Sequence, residues 1–210
     1  MEFVKQKSEG LVIFADGSDN PGGDAPCDGT VALSALVEAG FAGSVVGVLY
    51  DPACVEGAHQ LGVGAEEEFE IGGKTDSLHG PPLRTQAGVG ALGDGRFVHH
   101  GRMWRGVPDN LGRIAVLEAN GVEIVLASRR AQLLDGETLR IVGIAPETRR
   151  LLVAKSAVRF RADLGPLAAH IFDADTPDIH RPDFNALAHE HVRRPIYPID
   201  TNIQWPATSR

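Results

Sequence analysis

Asp16, Ser18, Asp19, Asn20, Asp24 and Asp28 are gathered with four glycines and two prolines in the fifteen residues from Asp16 to Thr30. Such side chains supply hydroxyl and amide donors and carboxylate acceptors. Gly22 and Gly23 allow backbone N–H groups to approach a bound oxygen, because no Cβ stands in the way. An apolar run, Leu11 to Ala15, precedes this loop and a helical pattern, Val31 to Ala39, follows it, so the loop leaves a strand and enters a helix start, which favours anionic or carbonyl oxygens. Long ordered loops hold ligands more often than short connectors do. Read as chemistry, Ser18, Asn20, Gly22 and Gly23 present donors to a small ligand. Asp19 and Asp28 then turn inward to orient the loop, since a carboxylate facing an anion would repel it. Read without chemistry, the same composition is a solvated acidic connector.

Lys155 and Ser156 stand at the end of a second apolar run, Leu151 to Ala154. Open α/β sheets bind ligands beyond the carboxyl ends of their strands, so these two residues and the glycine loop share a rim if both strands belong to one parallel sheet. In that case Lys155 supplies positive charge to the ligand; otherwise it neutralises Asp16 or Asp28, and Ser156 caps a helix. Lys74, a flexible point charge, and His79, which donates or accepts near neutral pH, are further binding candidates, with a local structural role as the first reading of each. Gly72-Gly73-Lys74-Thr75 is not a phosphate loop, because the earlier glycine of that motif falls at Glu68. His189-Glu190-His191 lacks HExxH spacing, and extended His99-His100 would point to opposite faces, so no zinc site is read within the chain. Cys27 and Cys54 fit neither a CxxC motif nor a zinc ribbon and read as free thiols in a reducing compartment. No catalytic residue is assigned.

The elements that must position these groups follow from periodicity and turn chemistry. Leu11–Ala15, a helix from about Thr30 to Ala39 and Ser44–Tyr50 form a strand, helix, strand unit, which closes right-handed with parallel strands. Asp51-Pro52 is an N-cap with a first-turn proline, opening a short helix that ends at Gly62. From Glu66 to about Leu126 the pattern changes to short β segments. Leu92 to Arg96 and Asn120-Gly121 read as hairpin turns, and Glu66-Glu67-Glu68 as the solvated face of an edge strand. Strand, helix and strand return with Leu151–Ala154, a helix from about Ser156 split at Gly165-Pro166, and His170–Ala174. Pro177, Pro182, Pro195, Pro198 and Pro206 punctuate an irregular tail over residues 176–210, in which Arg193 to Pro198 is expected to pack back as an extended segment. The expected fold is α/β: a mixed sheet with a parallel strand-helix-strand core and an inserted antiparallel β-hairpin region, in a single domain over residues 1–210.

With 210 residues, 43% hydrophobic and 23% charged, the chain has the composition of an ordinary globular protein. Residues 1–90 hold 4 Lys+Arg against 14 Asp+Glu, a balance of -10, and residues 91–210 hold 16 against 14, a balance of +2. Neither half is basic enough to point to nucleic acid. No run approaches the roughly 18 apolar residues of a membrane span, and Met1 to Lys7 lacks the apolar core of a signal peptide, so a cytoplasmic protein is expected.

Ser18-Asp19-Asn20-Pro21-Gly22-Gly23, then Ala25-Pro26 and Asp28-Gly29-Thr30, resemble the signature that opens the C-terminal domain of the microcystinase C (MlrC) family of metallopeptidase-like proteins. The likeness continues in order through Gly47 to Pro52, Ile71 to Asp76, Leu78 to Pro82, Leu111 to Arg113, Lys155 to Val158, Phe160 to Ala162 and Arg194 to Pro198. Departures fall at Cys27, where the family pattern has a small residue such as glycine, and at Arg159, where it often has His. The resemblance implies zinc in the complete family enzyme, held by an N-terminal domain that this chain lacks, with none bound by the chain alone. It implies substrate binding by Ser18, Asp19, Asn20, Gly22, Gly23, Asp28, Lys74, His79, Lys155 and Ser156 in a site for a small peptide-like or carboxylate ligand. The expected partner is the N-terminal metal-binding domain, a partner chain or a second copy. The leading expectation is the C-terminal part of a zinc-dependent amide or peptide hydrolase; the alternative is a stand-alone, non-catalytic module for binding small molecules or anions, or for assembly. The purified chain is expected to hold no stoichiometric zinc, checked by elemental analysis after metal loading. One tightly held zinc per chain, lost on substituting His79 or His99, would overturn that expectation.

Overall fold

An unbroken run of buried residues from Ser44 to Leu49 marks a strand covered on both faces, the pattern of a central parallel strand. The computed structural model, which describes residues 10–177, 180 and 183–204, places it near the middle of an eight-stranded mixed sheet. The strands are β1 (Leu11–Asp16), β2 (Ser44–Tyr50), β3 (Glu66–Ile71), β4 (Leu83–Gly93), β7 (Ile114–Ala119), β8 (Val122–Ala127), β9 (Leu151–Ala154) and β10 (Ala168–Ala174). Their order is β10-β1-β9-β2-β8-β7-β4-β3. The pairs from β10 to β8 are parallel, and those from β8 to β3 are antiparallel. The expected mixed α/β fold is the one observed. Its antiparallel strands extend the main sheet, while β5 (Arg96–Val98) and β6 (Pro108–Asn110) form a separate ribbon.

Alternate residues of the strands feed two cores. Val12, Val46, Leu49 and Val153 face the helices α1 (Val31–Glu38) and α2 (Pro52–Leu61), where they meet Leu33, Leu36, Val55 and Ala58. Ile13, Val45, Val48 and Leu152 face the other layer, where Phe97, Leu133, Leu139, Phe160 and Leu164 close over them. That layer includes the single-turn helix α3 (Glu137–Arg140). The Asp51 side chain caps α2 by accepting from Cys54 N at 3.0 Å, with Pro52 in the first turn, and Gly62 ends the helix. Glu66, Glu67 and Glu68 are exposed on the edge strand β3, where their charge discourages pairing with another chain.

β1 and β2 run parallel as expected, with β9 inserted between them, so the first crossover skips one strand. Other local expectations are corrected. No α-helix follows Ser156. A turn of 3-10 helix at Arg159–Ala162 and another at Gly165–Leu167 replace it, with Pro166 in the first turn of the second, where its missing N–H is harmless. The bend at Leu92 to Arg96 does not fold β4 back on itself; it carries the chain out to the β5–β6 ribbon. The segment from Arg193 to Pro198 is mostly exposed and turned instead of extended, because Arg194 pairs with Asp200 while Ile196 N donates to the same carboxylate at 2.7 Å. The opening residues Met1 to Lys7, and Pro182 and Pro206, lie outside the described residues. Among the described residues no helix is long and apolar enough to cross a membrane.

The Asn120-Gly121 turn sets the register of the β7–β8 hairpin. Ala119 pairs with Val122, and both turn residues have positive φ, 47° and 81°, the two-residue geometry that matches the twist of the strands. A side chain at Gly121 would meet the left-handed penalty of about 1–2 kcal/mol and crowd Ala42. Gly121→Val is therefore expected to lower the unfolding free energy from urea titration by at least that amount without changing the secondary-structure content seen by circular dichroism.

Candidate functional site

The carboxyl ends of β1 and β9 are tied together by one ammonium group. Lys155, 1% exposed, directs Nζ to Asp16 Oδ2 at 2.8 Å, Asp19 Oδ2 at 2.9 Å and the Gly29 carbonyl at 2.8 Å, which uses all three of its protons. Burial alone would drive an ammonium to release its proton, but the charges of Asp16 and Asp19 outweigh that cost and hold its pKa above the ordinary 10.5. Two carboxylates exceed one ammonium, and the excess is met by backbone donors. Cys27 N and Gly29 N reach Asp19 at 2.6 and 2.7 Å, and Asp19 N reaches Asp16 at 3.4 Å. Thr176 Oγ1 adds a bond to Asp16 at 2.5 Å. Gly29 must be glycine for this closure, because a Cβ there would lie 2.9 Å from Asp19 Oδ2 and 3.3 Å from the ammonium.

The loop's other groups are arranged around this knot. Asn20 accepts from Gly22 N at 2.9 Å through its side chain and from Gly23 N at 2.9 Å through its carbonyl, closing a 3-10 turn at Pro21–Gly23. The His180 ring lies where a Gly23 side chain would go, and its Nδ1 is 2.9 Å from the Gly17 carbonyl. Asp28 Oδ2 accepts from Lys74 N, Thr75 N and Thr75 Oγ1 at 2.8–2.9 Å, which fastens the loop after β3 to the glycine loop. Lys74 Nζ bonds both oxygens of Asp51 at 2.7 and 2.9 Å, so its charge is engaged with the helix cap. His79 is buried, with Nδ1 2.6 Å from Asp76 Oδ1, and its carbonyl receives Thr30 N. Ser18 Oγ and Asp28 Oδ1 are buried oxygens without a hydrogen-bond partner among the described residues.

The ten residues proposed from sequence thus fall along one edge of the sheet, but in two tiers. Of the ten, Gly22 lines an open cleft of about 450 Å³ there; Asn20 and Ser156 stand behind it, joined by Gln132, whose Nε2 bonds them at 2.8 and 2.9 Å. The cleft is walled by Arg129 and Arg130 after β8, by Arg159 after β9, by Asp24 of the glycine loop, and by Trp104 and Asp109 of the β5–β6 ribbon. Sequence reasoning named Asp24 in the loop, and Arg159 only as a departure from the family pattern, and missed the other four. The rule that singled out Lys155 applies equally to Arg129 and Arg130, which also leave the carboxyl end of a parallel strand. Trp104 and Asp109 gave no local signal. They are placed by His99, buried with Nδ1 3.0 Å from Asp135 and Nε2 3.2 Å from Asp109, and in edge contact with Trp104.

Neither thiol is poised for nucleophilic attack. Burial, reinforced by the Asp19 charge, pushes the Cys27 thiol far above its ordinary pKa. Burial and Asp51 push Cys54 up to about 12. Among the described residues no group of three His, Cys, Asp or Glu side chains converges as metal ligands. The rim carboxylates Asp16, Asp19 and Asp51 are already engaged by ammonium and N–H groups. Among the described residues, the donor set on this edge does not fit zinc.

This order of blocks along the chain and this architecture have known counterparts. The sequence profile of the MlrC C-terminus matches residues 14–191. The chain belongs to the MlrC C-terminus family. Microcystinase C of Sphingomonas sp is 25% identical over 201 residues, covering 95% of this chain and 38% of the relative. The crystal structure of a "Putative metallopeptidase" from Mesorhizobium sp. BNC1 superposes with a TM-score of 0.81 at 24% identity, covering 97% of this chain and 40% of that one. The chain therefore spans about two fifths of the length of these relatives.

Removing the ammonium would leave Asp16 and Asp19 buried with excess negative charge. Lys155→Met is expected to destabilise the fold by about 3–5 kcal/mol in denaturant titration, and adding Asp16→Asn should recover part of the loss. Since the folded pKa of Lys155 is raised, its contribution is complete below the ordinary 10.5 and fades only as pH rises through the higher folded value. The difference between wild type and Lys155→Met should therefore persist unchanged from pH 7 to pH 9.

Proposed function

We propose that this chain is the substrate-binding part of an amide- or peptide-hydrolysing enzyme of the MlrC type, in which zinc is held by ligands outside the described residues. The observation that carries the reading is the convergence, at the carboxyl edge of the parallel strands, of a braced glycine loop and a polar cleft. Membership of a family whose relatives are named for microcystin and peptide chemistry supports the hydrolytic class. In this reading the chain works as one domain beside a metal-binding domain or partner chain.

The role of the chain's own residues is to bind and orient. Lys155, Asp16 and Asp19 fix the loop before substrate arrives, so little ordering entropy remains for binding to overcome. Gln132, held by Asn20 and Ser156, keeps its Oε1 toward Arg159 at 3.3 Å and steadies that guanidinium at the cleft. Ser18, Asn20, Gly22, Gly23, Asp28, Lys74, His79 and Ser156 act with them as the binding surface and its support.

The test is to tag the chromosomal gene, isolate the native protein from its host with whatever it carries, and assay hydrolysis of short peptides with and without a zinc chelator. Chelator-sensitive hydrolysis, lowered at least about tenfold by Gln132→Ala, is the expected result. Peptide binding without any turnover would replace this reading with that of a non-catalytic binding module.

A further inference from the structure

Among the described residues, six arginines pair with carboxylates: Arg84 with Glu70, Arg113 with Glu56, Arg140 with Glu147, Arg149 with Glu123, Arg161 with Asp173 and Arg194 with Asp200. Arg129, Arg130 and Arg159 differ. All three are exposed, all three line the same cleft, and none is within salt-bridge distance of a carboxylate among the described residues. All three are nonetheless placed by contacts within the chain. Arg129 packs against Gly112, where a Cβ would lie 2.8 Å from its Cγ; Arg130 lies over the Tyr50 ring at 5.6 Å; and Arg159 donates to Gln132. Three arginines that line one cleft, with no salt bridge to a carboxylate among the described residues, leave forked donors to an external anion.

We propose that Arg129, Arg130 and Arg159 form a subsite that recognises a carboxylate group of a peptide ligand. The inference rests on the reading that this face binds a peptide, and adds what part of the peptide is selected. The charge of the wall decides the anion class. Asp24 and Asp109 line the same cleft, so three positive and two negative side chains leave one net positive charge. That balance suits a monoanion, and a phosphate dianion would be held against the two resident carboxylates. A planar carboxylate also matches the guanidinium fork. The exposed ring of Trp104, 43% accessible, offers an apolar surface in the same cleft for the neighbouring part of the peptide.

Both a C-terminal carboxylate and an acidic side chain carry this chemistry, and three peptides separate them: acetyl-trialanine as the free acid, the same peptide as its amide, and acetyl-Ala-Asp-Ala amide. Titration by NMR at low salt, with phosphate as a control anion, reads their Kd values for the intact chain. The free acid, the aspartyl amide or both should bind, the plain amide should not, and phosphate should bind no more tightly than the carboxylates. Binding of the free acid alone assigns the C-terminal carboxylate; binding of the aspartyl amide alone assigns the side chain. Arg130→Ala and Arg159→Ala should each weaken binding at least about fivefold, and raising the salt should weaken it further. Asp24→Asn should tighten it about two- to fivefold, a gain that a misfolded variant cannot mimic. Equal binding of acid and amide, no binding of either acid, or an unchanged Kd in Asp24→Asn and Arg159→Ala overturns the subsite. Since no turnover is measured, carboxylate-selective binding by a protein that hydrolyses nothing sinks the hydrolase reading alone. Hydrolysis that ignores both the carboxylate and the arginines sinks this inference alone.

Discussion

A buried ammonium is among the most expensive groups a protein can enclose, and Lys155 is enclosed almost completely. It remains charged because two carboxylates and a carbonyl surround it, and those carboxylates are tolerable in turn because backbone N–H groups share the excess negative charge. Each partner comes from a different stretch of chain: the end of β9, the end of β1, the middle of the glycine loop and its return at Gly29. Folding any of them elsewhere strands a charge. The loop is therefore fixed by charge and hydrogen bonds within the chain itself. Cys27 illustrates the same environment from the other side, since a thiolate beside Asp19 would add a further negative charge to the knot.

A second tie runs parallel to the first. Asp51 caps α2, receives Gly72 N and holds Lys74, while Asp28 gathers the backbone of Lys74 and Thr75. The loop after β3 is thereby anchored to the helix cap and to the glycine loop together. The pKa directions agree: burial opposes both charges, yet hydrogen bonding between the partners lowers Asp51 and raises Lys74. Lys74 remains partly exposed, so this pair stabilises less than the Lys155 knot does.

The strands, helix caps and tight hairpin were legible because each rests on local chemistry. Asp51-Pro52 and Asn120-Gly121 dictate their backbone whatever packs around them, and the alternating or continuous apolar runs locate the strands. The helix expected after Ser156 was not formed, because Phe160 and Leu164 are drawn down onto the sheet in successive 3-10 turns, a choice made by packing and not by propensity. Insertion of β9 between β1 and β2 is likewise invisible locally, since strand order depends on which strands pair at a distance. Of the site, the inner tier was legible from glycine spacing and the two strand ends. The outer tier needed Trp104 and Asp109, which reach the cleft only because the β5–β6 ribbon folds back and His99 pins it.

The two tiers also resolve an apparent contradiction in the charge pattern. The first 90 residues carry a balance of -10, and the glycine loop is rich in aspartate, which would make the loop a poor neighbour for an anion. Position, not count, decides the field that a ligand meets. Asp16, Asp19 and Asp28 are buried and turned toward ammonium and N–H groups, so their charge is spent within the protein. The arginines stand outward at the cleft, with Asp24 and Asp109 moderating them. An acidic loop thus supports a cationic surface: the carboxylates that shape the backbone are the ones withdrawn from the cleft, and the positive charge left exposed there comes from the less acidic half of the chain.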